Sequence, residues 1–158
     1  MSQRYFPMFI DISKEKIVVI GGGTIGIRRL RTLMEFVDQV TLVEPNPGEE
    51  IRKIEESGQI LLIQDRYRKE YIEDAYMVVA ATDQKEVNHQ VKEDCLALEK
   101  EQNRKLLVNI SDDRSLNDFY FPGIVIEGDL VVGINSGGAS PALVKETRKK
   151  LEKVLREK

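Results

Sequence analysis

Short apolar runs alternate along this chain with stretches whose apolar positions recur at helical spacing. Ile17-Val-Val-Ile20, Val40-Thr-Leu-Val43, Gln59-Ile-Leu-Leu-Ile-Gln64, Met77-Val-Val-Ala-Ala81 and Leu106-Leu-Val108 each read as a short buried strand. Between the first two, Leu30, Leu33, Met34 and Val37 fall at i, i+3, i+4 and i+7, a helix whose apolar stripe covers a sheet. Pro45-Asn-Pro47-Gly48 breaks the chain after the second strand, and Glu49 to Ser57 reads as a polar helix. Val87, Val91, Cys95 and Leu98 mark one face of a long helix ending near Gln102. Strands alternating with helices predict an α/β chain with a doubly wound parallel sheet, which takes ligands at the carboxyl ends of its strands.

The texture changes after Asn109. A polar loop from Ser111 to Asp118 precedes Phe119-Tyr-Phe121, Ile124-Val-Ile126 and Leu130-Val-Val-Gly-Ile134, which read as antiparallel strands, with Glu127-Gly128-Asp129 as a hairpin turn. We therefore expect two domains, 1–113 with the parallel sheet and 114–158 as a small α+β domain. A sheet that small does not bury both faces alone, so it is expected to pair with a second copy in a homodimer.

The first strand runs directly into Gly21-Gly22-Gly23-Thr24-Ile25-Gly26, a Gly-x-Gly-x-x-Gly turn that opens the first helix. In such a Rossmann-type unit Gly21 makes the tight turn, Gly23 lets the backbone approach a pyrophosphate, and Gly26 lets helix and sheet pack closely. Glu44 follows the second strand, 23 residues beyond Gly21, where an acid binds a ribose diol and repels a 2′-phosphate. NAD is the expected cofactor. Thr82 and Asp83, after the fourth strand, are candidates for the same ligand or for capping the helix expected to begin at Gln84. Asn109, Asp112 and Asp113 follow the fifth strand, where the nicotinamide is expected to point, and a carboxylate there is placed to take a proton. The alternative for this Asp-rich loop is a solvated turn. In Asn135-Ser136-Gly137-Gly138-Ala139-Ser140-Pro141, Ser140 caps a helix starting at Pro141, and the exposed amides and hydroxyls suit a ligand with several carboxylates. His89 lies between Val87 and Val91 and is expected at the surface.

Composition narrows these expectations. With 158 residues, 41% hydrophobic, the chain is long enough to bury a core. The net charge is −3, yet residues 141–158 carry seven Lys or Arg against three Glu, so the last helix is basic in an acidic chain. Nucleic acid is therefore not the expected partner. Cys95 is the single cysteine, which excludes an intrachain disulfide, and no His/Cys/carboxylate cluster has zinc spacing, so no metal is expected. The start, from Met1 to Pro7, lacks a signal-peptide core, and no apolar run approaches the roughly 20 residues of a membrane span. A soluble cytoplasmic protein is expected.

Six stretches in order, Phe6-Pro-Met-Phe-Ile-Asp11, Gly21 to Gly23 with Arg28-Arg29, Ala80-Ala-Thr-Asp83 with Asn88, Asn109 to Asp113, Phe121-Pro-Gly-Ile124 and Ser136-Gly-Gly-Ala-Ser-Pro141, resemble the precorrin-2 dehydrogenase module of siroheme synthesis. The resemblance implies NAD-dependent oxidation of precorrin-2 to sirohydrochlorin and, in some members, ferrochelation to siroheme. By position Asp112 matches the family's catalytic aspartate, and Ser136 matches a serine near the tetrapyrrole site. Asn109, Gly137 and Ser140 join it as expected substrate contacts, and Arg28, Arg29 and the basic helix become electrostatic partners of a polycarboxylate. Gly26 stands where the family usually has Ala, read as a mild change. Many members continue into a further helical segment, so the resemblance bears on dehydrogenation more directly than on chelation. A bifunctional dehydrogenase-chelatase and a regulatory NAD-binding module are the alternatives.

Overall fold

The computed structural model describes residues 4–157. Met1 to Gln3, which belong to the Met1–Pro7 start for which no signal peptide is expected, lie outside the described residues, as does Lys158. The chain divides into two compact units, Asp11–Phe119 and Met1–Ile10 with Tyr120–Lys158.

In the larger unit, β1 (Ile17–Ile20), β2 (Val40–Val43), β3 (Ile60–Ile63), β4 (Met77–Ala80) and β5 (Leu107–Ile110) form one sheet in the order β3-β2-β1-β4-β5. Every neighbouring pair is parallel. All four residues of β1, β2 and β4 are buried, as required of a sheet covered on both faces, so the expected α/β, Rossmann-type sheet is what forms. The helices are α1 (Thr24–Met34), α2 (Glu49–Glu56) and α3 (Lys85–Gln102). Leu30 and Leu33 of α1 are buried, as are Val91, Cys95 and Leu98 of α3, and each such side chain contributes about 1.5–3 kcal/mol by leaving water. Val18, Ile20, Val78, Ala80, Val108 and Ile110 meet Val91, Cys95 and Leu98 in one apolar cluster. Burial pushes the Cys95 thiol up to about 12, so it stays protonated and acts as a small apolar filler.

Two expected boundaries move. Asn109 lies within β5, paired with Val79, rather than after the strand. Phe119-Tyr-Phe121 is not a strand, because the chain beside β5 bonds through side chains instead of a ladder. Asp118 Oδ2 accepts the Val108 N–H at 3.0 Å, Asn117 Oδ1 accepts that of Ile110, and Asn109 Nδ2 donates to the Phe119 carbonyl at 2.9 Å. Those bonds cover the open edge of β5 and carry the sheet unit to Phe119, beyond the residue-113 boundary expected. Pro122, which follows, has no N–H to give a ladder.

In the smaller unit, β6 (Gly123–Glu127) and β7 (Leu130–Ile134) form the expected antiparallel hairpin, with Gly128 at φ 57° in the turn. Helix α4 (Pro141–Arg156) packs on β6 and β7. The Tyr5 and Tyr120 rings lie 4.7 Å apart. Little of this unit's apolar surface is covered: α4 has no buried residue, and Phe6, Phe9 and Val154 are 87%, 75% and 58% exposed.

Candidate dinucleotide site

Order reversal between β1 and β4 opens a crevice at their carboxyl ends, and a cleft of about 860 Å³ lies there. Its lining comes from the glycine turn, from Glu44 to Asn46 after β2, from Arg66 and Tyr67 after β3, and from the β4–α3 turn through Gln90.

Close contacts on the sheet side determine the shape of the glycine turn. Gly21 has φ 98°, and a Cβ there would lie 2.6 Å from the Ala81 carbonyl oxygen. A Cβ on Gly26 would lie 1.9 Å from the Gly21 carbonyl oxygen, so alanine at 26 requires the turn itself to shift and is not the mild change its family pattern suggests. Gly23 is different: a Cβ there would meet nothing within 4 Å, so the turn is open on the cleft side. No side chain caps α1, which leaves amides of its first turn, including those of the exposed Thr24 and Ile25, facing outward. An open, uncapped helix start beside a cleft of this volume fits a dinucleotide pyrophosphate.

Glu44 reaches back over the turn. Its Oε2 accepts the Gly22 N–H at 2.6 Å and its Oε1 accepts the Asn46 N–H at 2.9 Å, which holds the carboxylate at the edge of the cleft. Thr82 is fastened by Asn88, a fully buried residue of α3. Asn88 Oδ1 accepts from the Thr82 hydroxyl at 2.7 Å and the Thr82 N–H at 3.1 Å, and Asn88 Nδ2 donates to the Thr82 carbonyl. Asp83 does not cap α3. The helix begins at Lys85 with Gln84 at the cap position, and the Gln84 N–H reaches the Thr82 hydroxyl instead, at 3.2 Å. Both Thr82 and Asp83 line the cleft.

Gly21, Gly22, Gly23, Glu44, Thr82 and Asp83 thus surround one cleft, Thr24 and Ile25 are exposed in the first turn of α1 but are not among its lining residues, and Gly26 is buried behind the turn. Asn109, Asp112 and Asp113 are not among the lining residues. Asp112 is exposed in the turn after β5. Asp113 is occupied: its Oδ1 accepts the Ser115 hydroxyl at 2.6 Å and the Ser115 N–H at 3.0 Å, capping a short 3-10 turn, Arg114–Leu116. These bonds, with His89 Nε2 3.6 Å from Oδ2, hold the Asp113 carboxyl below the usual carboxylate range. Sequence reading placed His89 at the surface; it is half-buried and faces Asp113. Arg29, also half-buried on α1, is pushed down to about 10 by burial and then by Arg28, and remains a cation at neutral pH.

In the smaller unit Ser136, Gly137 and Ser140 share one loop. Asn135 Oδ1 accepts the Gly137 N–H at 2.8 Å, Ser136 Oγ accepts the Ser140 N–H at 3.1 Å, and Ser140 Oγ caps α4 by accepting the Leu143 N–H at 3.2 Å. Each serine hydroxyl keeps its proton to donate. Asn46, Arg66, Tyr67 and Gln90 line the cleft without having been read as site residues; Arg66 and Tyr67 could have been found by applying the strand-end rule to β3. Among the described residues no helix is long and apolar enough to cross a membrane, and no group of three or more His, Cys, Asp or Glu is placed to hold a metal ion.

Comparison with known proteins agrees with this geometry. A family model described as "Putative NAD(P)-binding" matches residues 8–123. A siroheme synthase of Mannheimia succiniciproducens is 34% identical over 151 residues, covering 96% of this chain and 30% of that protein. One of Psychrobacter cryohalolentis is 33% identical over 150 residues, covering 95% and 28%. The solved structure of "SirC, precorrin-2 dehydrogenase" superposes with a TM-score of 0.80 at 26% identity, covering 95% of this chain and 70% of that one. This chain spans about 30% of the length of the first of these curated relatives. The resemblance drawn from the six motifs is thus met in relatives that cover nearly the whole chain, which belongs to the NAD(P)-binding family and is a homologue of the siroheme synthases and of SirC.

Proposed function

We propose that this chain is an NAD-dependent precorrin-2 dehydrogenase of siroheme synthesis. The observation that carries the proposal is the open glycine turn and Glu44 around one cleft, in a chain whose relatives are siroheme synthases and a precorrin-2 dehydrogenase. Oxidation of precorrin-2 to sirohydrochlorin removes a hydride and a proton, and NAD, when bound, supplies the hydride acceptor. Gly23 and the first turn of α1 bind the pyrophosphate, and Glu44 holds the adenosine ribose. Asp112 takes the proton, since its exposed carboxylate lies at the end of β5 while Asp113 is committed to Ser115. Asn109, Ser136, Gly137 and Ser140 are the proposed substrate contacts, and Lys145 and Lys149, exposed on α4, add cations for a polycarboxylate.

A homodimer belongs to the same reading, supported by the uncovered apolar side chains of the smaller unit and measurable as molar mass in solution. So does a cytoplasmic location, in keeping with a single buried cysteine. The test is NAD reduction by the purified protein when enzymatically made precorrin-2 is supplied without oxygen; NAD binding without reduction would leave a binding module.

Glu44→Ala is expected to weaken NAD binding by about 10- to 100-fold, the usual cost of a lost charge-assisted hydrogen bond, as read by titration. Unchanged affinity would remove Glu44 from the ribose site.

A further inference from the structure

Around the cleft the charged lining residues are Glu44, Asp83, Glu86 and Arg66, three acids and a single cation. The path after β3 brings Arg66 to this place. Ile63, the last residue of β3, accepts the Glu44 N–H at 3.0 Å and the Asp65 N–H at 2.9 Å, so the chain makes a tight turn where β2 and β3 end side by side. Arg66 follows that turn and lines the cleft with Glu44, Pro45 and Asn46.

Its neighbouring acid is already taken. Asp65 Oδ2 accepts from Arg68 at 2.7 Å and from the Tyr71 hydroxyl at 2.6 Å, and Asp65 Oδ1 accepts the backbone N–H of Arg66 at 2.7 Å. Those bonds, the Tyr71 one first, keep the Asp65 carboxyl below its ordinary range. Among the described residues the Arg66 guanidinium itself has no hydrogen-bond or ion-pair partner, and its side chain is exposed at the cleft.

We propose that Arg66 is a specificity-determining residue of the dinucleotide site, a cation at its adenosine end that favours a 2′-phosphate and is opposed by Glu44. The inference rests on the proposed dinucleotide site. It follows from chemistry: a guanidinium offers paired N–H donors that match a phosphate, whereas the Glu44 carboxylate accepts from a ribose diol and repels a phosphate in the same space. Preference for NAD is then a balance between two side chains of opposite sign. Removing the Glu44 charge leaves a site already furnished for NADP.

The test is the ratio of NADPH to NADH affinity, read by fluorescence titration of the wild type, Glu44→Gln, Arg66→Ala, Arg66→Lys and the Glu44→Gln/Arg66→Ala double variant. Glu44→Gln is expected to raise the ratio by about tenfold or more, and Arg66→Ala to lower it by a similar factor. In the double variant the rise is expected to vanish, while Arg66→Lys, which keeps the charge but not the paired N–H donors, is expected to give a ratio between those of the wild type and Arg66→Ala. An equal rise in the presence and absence of Arg66, or no rise on removing the Glu44 charge, overturns the role of Arg66 and leaves the dinucleotide site standing. Failure of both NADH and NADPH to bind the wild type overturns the site and this inference together.

Discussion

Replacing Asp112 with alanine is expected to lower precorrin-2 oxidation by about 10²-fold or more while NAD affinity stays close to that of the wild type. The separation follows from where the residue lies. Asp112 is exposed in the turn after β5 and is not among the residues lining the cleft, so its loss removes no contact to the dinucleotide. A general base contributes to the barrier for proton loss rather than to ground-state binding, which is why turnover is the affected quantity. Asp113 is the natural control. Its carboxylate is spent on Ser115 and faces His89, so Asp113→Ala should act through the loop's conformation, with a loss that Asp113→Asn partly restores by keeping an acceptor for Ser115. Single-turnover rates of the four proteins, beside NAD titrations, separate the two roles. Wild-type turnover in Asp112→Ala would remove that residue from the mechanism.

Gly21→Ala carries the second large effect, on the fold as well as on the cofactor. At φ 98° an L side chain is strained, and the new Cβ would lie 2.6 Å from the carbonyl oxygen and 2.7 Å from the carbonyl carbon of Ala81 and the nitrogen of Thr82. Those are backbone atoms held by the sheet, since the Ala81 N–H donates to Ile20 O and Thr82 is fastened by Asn88. Strain and overpacking together are expected to cost about 2–5 kcal/mol. The urea midpoint should fall accordingly, and NAD binding should be lost, because the turn that moves is the one proposed to bind the pyrophosphate. A variant with the wild-type midpoint would show that the turn adopts another shape.

The parallel sheet was legible because each strand is a short apolar run between breakers, and burial on both faces leaves no other use for four consecutive apolar residues such as Ile17 to Ile20. Phe119-Tyr-Phe121 carries the same residue types but no strand, since its neighbours bond β5 through the side chains of Asn117 and Asp118, a long-range arrangement that local pattern does not encode. At the helix starts, residue type alone offers Asp83 both as a ligand contact and as a cap. The cap position went to Gln84 because Asn88, buried four positions further on, draws Thr82 onto itself. The glycine turn and Glu44 were legible through their spacing. For Arg66 the signal is only positional: the strand-end rule points to the segment after β3, but nothing in Asp65-Arg66-Tyr67 as a string distinguishes Arg66 from the paired Arg68. Likewise Asp112 and Asp113 are indistinguishable by composition, and only the Ser115 contacts show which of them is spent on structure.

The most direct measurement follows both products of one anaerobic reaction: purified protein, NAD and enzymatically made precorrin-2, with NADH and sirohydrochlorin recorded by absorbance from the same sample. The two are expected to appear together, in equal amounts and only when the protein is present. Measurable NAD binding with no NADH formed, or sirohydrochlorin formed at the protein-free rate, would contradict it.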